Sequence, residues 1–149
     1  MVAYLRNPSL RQRHWIQVEN ILSYKFKPEE TLTLELLENL KVFTFGNELQ
    51  EVSGQASSEA GLEAMLKKVE ESWKILEFVV MPHKDSKDVY ILGTLEEVQT
   101  VLDDSTIAIT TIASSRHVGP IKSRVEEWGR TLDLFTRTLV IKTFVSHLQ

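Results

Sequence analysis

Side chains able to do chemistry are present in this chain, but their spacing does not bring them together. The four histidines are His14, His83, His117 and His147. No two of them are four apart, as a helix-borne zinc pair requires, and no histidine-rich cluster exists. With no cysteine there is no thiolate ligand, no cysteine nucleophile and no disulfide framework. Asp103 and Asp104 are adjacent, so on a helix they point apart and cannot grip one substrate. Ser114-Ser115-Arg116-His117 holds nucleophile-like residue types. No Gly-x-Ser-x-Gly elbow frames them, and they read as a polar loop ahead of Gly119-Pro120. Neither a Gly-x-x-x-x-Gly-Lys-Ser/Thr phosphate loop nor a Gly-x-Gly-x-x-Gly run occurs. Gly93-Thr94 at a helix start could offer free N–H groups to an anion. Glu97, three residues after Thr94, instead makes a capping box that already uses some of those donors, which favours the structural reading. His14 beside Trp15 reads as a packing residue with a polar tip. The expectation is a segment with no catalytic residue, no cofactor and no metal.

The elements that would have to position a site are mostly helical. Asn7-Pro8 is expected to start a helix, with Asn as the cap and Pro at the first helical position. Leu10, His14, Val18 and Ile21 then share one face, with Trp15 and Leu22 beside it, and the helix should stop near Ser23, before Lys27-Pro28. Thr33 caps a short helix over Leu34 to Leu40. A longer helical region begins near Gly46 or Asn47, led by Leu49, Val52 and Ala56. Ser57-Ser58 is expected to interrupt it, with a bend near residues 57–60. The pattern resumes through Leu62, Met65, Leu66, Val69, Trp73 and Leu76. Gly54 and Gly61 weaken this region by about 1 kcal/mol each relative to Ala.

The period then changes. Phe78-Val79-Val80-Met81 and Val89-Tyr90-Ile91-Leu92 are rich in β-formers and flank a polar stretch, which predicts a β-hairpin over about residues 78–92 with Pro82 at a strand end. Thr94 opens another helix, with Leu95, Val98, Leu102, Ile109 and Ile112 on one face. Gly119-Pro120 starts the last one. Its stripe of Ile121, Val125, Trp128, Leu132, Phe135 and Leu139 is the cleanest periodicity in the chain. Beyond Leu139 the stripe falls out of phase. Trp15, Trp73 and Trp128 each lie on or beside an apolar stripe, and we expect them to be core anchors. Thr94 with Glu97 is the remaining structural pair.

Composition agrees with a single-domain helical protein. The chain has 149 residues, 42% hydrophobic and 26% charged, ordinary for a globular domain with a real core. A net charge of −4 gives no support for a nucleic-acid binder. No apolar run approaches the roughly 18 residues that cross a bilayer, and the first residues lack the pattern of a secretory signal. The expected setting is cytoplasmic, without membrane or nucleic-acid partners.

Taken in order, several of these segments resemble the N-terminal part of the dynein heavy chain linker. They are Asn7-Pro8 through Arg13-His14-Trp15, Thr33-Leu34 with Leu36-Leu37, and Leu62-Glu63 through Trp73. The likeness continues in the Phe78 to Gly93 hairpin, in Val98-Gln99 and Leu102-Asp103-Asp104, and in Gly119-Pro120 through Trp128. It runs from about Leu5 to Leu139, and its Asn-Pro start is closer to the axonemal heavy chains. The resemblance implies a mostly α, elongated helical bundle with one β-hairpin. It implies a non-catalytic mechanical segment that transmits ATP-driven changes of the AAA+ ring to the tail, in microtubule-based movement of cilia. The ATP sites of that family lie elsewhere. Its implied partners are the AAA+ ring and the rest of the linker, with dynein intermediate and light chains reached through the parent complex in the cilium axoneme.

The resemblance stops where the stripe loses phase. Residues 1–139 are therefore expected to be the linker-like domain and residues 140–149 a divergent tail, as in a short isoform. The rival readings are a stand-alone helical adaptor that binds a partner, and a small enzyme of unrecognised type, which would need a pocket with converging polar groups.

Overall fold

The computed structural model describes residues 2–27, 31–82, 90–93 and 95–147. It is mostly α-helical, and it divides into two compact units, Met1–Gly61 and Leu62–Gln149.

The first unit contains α1 (Val2–Leu5), α2 (Gln12–Leu22), α3 (Leu34–Asn39), a 3-10 turn (Val42–Phe45) and the start of α4 (Gly46–Lys74). Its core is Leu5, Val18, Leu22, Leu37, Val42, Leu49 and Val52. The expected Asn7-Pro8 helix start is corrected, because α2 begins only at Gln12. The cause is that the Asn7 side chain is engaged elsewhere. Its Oδ1 accepts the Ser9 N–H at 2.9 Å, closing a tight turn, and its amide donates to Ser53 and Ser57 of α4. Leu10 therefore lies outside the helix, and the buried face of α2 is His14, Val18 and Leu22. The helix stops where expected. Ser23 takes the left-handed conformation with φ 51°, and Tyr24 N–H returns to the Glu19 carbonyl at 3.1 Å. Thr33 caps α3 as its sequence predicts, accepting the Leu36 N–H at 3.2 Å.

The expected interruption at Ser57-Ser58 is also corrected, since α4 is helical without a break from Gly46 to Lys74. Both hydroxyls have partners that leave the helix intact. Ser58 Oγ donates to the Gly54 carbonyl one turn back at 3.0 Å, and Ser57 Oγ accepts from Asn7 at 2.8 Å.

The second unit holds the rest of α4, strands β1 (Val80–Pro82) and β2 (Tyr90–Leu92), α5 (Glu96–Ala113), a 3-10 turn (Gly119–Ile121) and α6 (Lys122–His147). β1 and β2 pair antiparallel with Val80 opposite Leu92, Met81 opposite Ile91 and Pro82 opposite Tyr90. The predicted hairpin is thus present, shorter than expected, with Pro82 at a strand end, where its missing N–H costs least. The polar stretch from His83 to Asp88 lies outside the described residues. At the base of the hairpin Gly93 N–H donates to the Val79 carbonyl at 2.7 Å. A Cβ on Gly93 would sit 3.1 Å from a Val79 methyl, so this crossing favours glycine.

The α5 and α6 stripes meet the end of α4 in one core. Leu66, Val69, Val98, Leu102, Ile109, Ile112, Ile121, Val125, Leu132 and Leu139 are buried there. Both helices bury the faces their periodicity predicts, with Trp128 and Phe135 half-buried against the same core. The backbone of α6 remains helical to His147, past the point where the apolar stripe loses phase.

Candidate functional site

The densest polar constellation among the described residues lies in the first unit, around Glu59 of α4. Leu49, Val52, Ala56 and Glu59 follow steps of three and four, so Glu59 occupies a core phase of the helix. It is only 7% exposed. Arg13 Nε donates to Glu59 Oε2 at 2.9 Å, and the Arg13 Nη2 group contacts the same oxygen. Gln55, one turn back, donates to Oε1 at 2.8 Å. His14 is fully buried, with Nε2 3.0 Å from Glu59 Oε2. That is ion-pair range, though off the line of a hydrogen bond.

The other ring nitrogen fixes the histidine. His14 Nδ1 accepts the Arg11 N–H at 3.0 Å, the place a Glu or Gln takes in a capping box. Since Nδ1 accepts, the neutral ring carries its proton on Nε2, towards Glu59. Burial pushes the Glu59 carboxyl up. The hydrogen bonds from Gln55 and Arg13, the charge of Arg13 and the electrostatic attraction of the His14 imidazole together outweigh it, so the carboxyl is held below its ordinary range. Six residues before Arg13, the Asn7 amide reaches the Ser53 carbonyl at 3.0 Å, Ser53 Oγ at 2.9 Å and Ser57 Oγ at 2.8 Å. The arrangement fastens the N-terminal elements to α4. A sealed imidazole whose accepting nitrogen is already taken by the Arg11 N–H is poorly placed to act as a general base.

A matching device stands in the second unit. Trp73 Nε1 donates to Ser105 Oγ at 2.9 Å, and its ring stands edge-on to Phe135 with centroids 5.1 Å apart. Ser105 is 3% exposed, in the middle of the apolar face of α5.

Among the five residues singled out from sequence, Trp15, Trp73 and Trp128 are half-buried. Trp15 packs against the core of the first unit and meets Phe26 edge-on at 5.8 Å. Trp73 and Trp128 pack against the core of the second. Thr94 lies outside the described residues. Glu97 is exposed, and α5 is entered at Leu95, which makes no side-chain cap hydrogen bond. Sequence reasoning missed Asn7 as a tether, Glu59 and Ser105. The last two carried a legible signal, being polar residues at a core phase of an amphipathic helix. Among the described residues there is no group of three or more His, Cys, Asp or Glu side chains placed to hold a metal, and no helix long and apolar enough to cross a membrane.

The geometry defines a class first, that of helical packing segments whose polar residues tie elements together. The family follows from comparison. The model for dynein heavy chain, N-terminal region 2, matches residues 1–143, and the chain belongs to that family. It is 57% identical over 136 residues to human dynein axonemal heavy chain 6, which covers 91% of this chain. It is 32% identical over 140 residues, or 93% of the chain, to human dynein axonemal heavy chain 2. The ciliary dynein beta chain of Tripneustes gratilla is 27% identical over 140 residues, 94% of the chain. The chain spans about 3% of the length of each of these relatives.

Proposed function

We propose that this segment is a piece of a dynein linker, a non-catalytic mechanical element that passes ATP-driven changes of an AAA+ ring to the tail of a heavy chain. The observation that carries this reading is the family match across residues 1–143, reinforced by high identity to an axonemal heavy chain. In this reading residues 1–139 form the linker-like domain and residues 140–149 a divergent tail. The AAA+ ring and the remaining linker are its direct partners, intermediate and light chains are reached through the complex, and the site of action is the cilium axoneme. Trp15, Trp73 and Trp128 serve as packing anchors, and Thr94 with Glu97 as a helix start. ATP hydrolysis belongs to other parts of the heavy chain.

The test is to place Leu132→Ala, a 3% exposed core position, in a full-length axonemal heavy chain carrying this segment. A mechanical role predicts slowed microtubule gliding with basal ATPase activity retained. Loss of both in parallel, or of neither, would count against it.

A stand-alone adaptor is the second reading. It is favoured by a run of exposed apolar side chains, Ile75, Phe78, Val79, Val80 and Met81, which another protein surface could cover. A monomeric, cooperatively melting chain in sedimentation and thermal denaturation favours the adaptor. A broad melt with self-association favours the linker.

A further inference from the structure

We propose that α1 and α2 form a releasable strap, clasped to α4 through the Glu59 carboxylate and freed when the contacts of that carboxylate are lost. Three observations converge on this. First, the face that α2 buries consists of His14, Val18 and Leu22, so one of its three buried side chains is polar. Buried His14 Nδ1 has its hydrogen bond from Arg11, whereas Nε2 makes none and is offset only by the Glu59 carboxylate 3.0 Å away, so loss of that carboxylate leaves a buried polar nitrogen that opposes docking. Second, the polar groups of α2 that face Glu59, the Arg13 guanidinium and the His14 imidazole, converge on one oxygen, with Gln55 of α4 on the other. Removing that single charge weakens the hold on both strap residues at once. Third, another polar tether, from Asn7 to Ser53 and Ser57, uses neutral hydrogen bonds, which are weaker than charge-assisted ones. The hydrophobic contacts of the strap at Leu5, Val18 and Leu22 set its position, and the clasp sets how often it opens. Opening of this kind is sub-global and leaves the second unit folded.

Amide hydrogen exchange on the whole chain tests the proposal. In Glu59→Gln, amides of residues 14–22 should exchange about tenfold or more faster than in the wild type, on the scale of a hydrogen bond to a charged group. Amides of α5 should be unchanged. Glu70→Gln removes a carboxylate from the same helix, one that pairs with Arg124 at 2.7 Å, and should leave residues 14–22 unaffected. If Glu59→Gln does not fold, Arg13→Gln decides by the same criteria, because that side chain is 46% exposed and its loss leaves no sealed cavity. Unchanged exchange at residues 14–22, equal acceleration in α5, or the same effect from Glu70→Gln would each overturn the strap.

Discussion

Glu59 shows how a single side chain can make one part of a fold pH-sensitive. Its folded carboxyl is held below the ordinary glutamate value of about 4.3. Stability from this group is therefore fully present above that ordinary value, where both folded and unfolded forms are ionised. It declines as pH falls through the ordinary value and is lost once the folded carboxyl takes up its proton. Acid titration followed by Trp15 fluorescence should show this loss in the wild type and a flatter profile in Glu59→Gln. Trp73 belongs to the same scale. Trp73→Phe keeps the aromatic contact with Phe135 and leaves the Ser105 hydroxyl without its donor, and should cost about 1 kcal/mol in urea denaturation. Helical spacing places the three tryptophans on or beside apolar stripes, and each is half-buried. The distant partners of Asn7 and Arg13 were not legible, since Asn7 reaches Ser53 and Arg13 reaches Glu59 over a sequence separation of 46. Local pattern rules see the capping ability of Asn and miss a distant acceptor that competes for it.

At the scale of elements, α4 holds a direct test of helix propensity. A Cβ at Gly54 meets nothing within 4 Å, and the same holds at Gly61. Gly54→Ala should stabilise the chain by about 0.5–1 kcal/mol, measured by thermal or urea denaturation, because alanine loses less backbone freedom on folding and adds no clash. The α5 and α6 stripes, the short hairpin and the Thr33 cap could all be read in advance, since each depends on residues within a few positions of one another. The unbroken passage through Ser57-Ser58 could not. Serine weakens a helix by competing for backbone groups, and here that competition ends when Ser57 accepts from Asn7 and Ser58 bonds its own turn. The late start of α2 has the same origin, seen from the other side of the contact.

At the scale of the whole molecule, the ordered set of segments pointed to the dynein heavy chains before any contact was known, and the family match confirms that membership. The division into two compact units was not visible, because α4 supplies apolar residues to both cores without a linker-like change in composition. On α5, Thr100, Thr106, Thr110 and Thr111 each donate the hydroxyl proton to the carbonyl four residues back, at 2.8–2.9 Å. On α6, Thr131, Thr136 and Thr138 do the same. These hydroxyls have no proton left to give. Solvent beside them finds methyl groups and lone pairs only, so the hydration layer must orient with its own hydrogens inward. A threonine-rich surface that looks amphoteric in composition thus behaves towards water as a one-way acceptor, more hydrophobic than its hydroxyl count suggests.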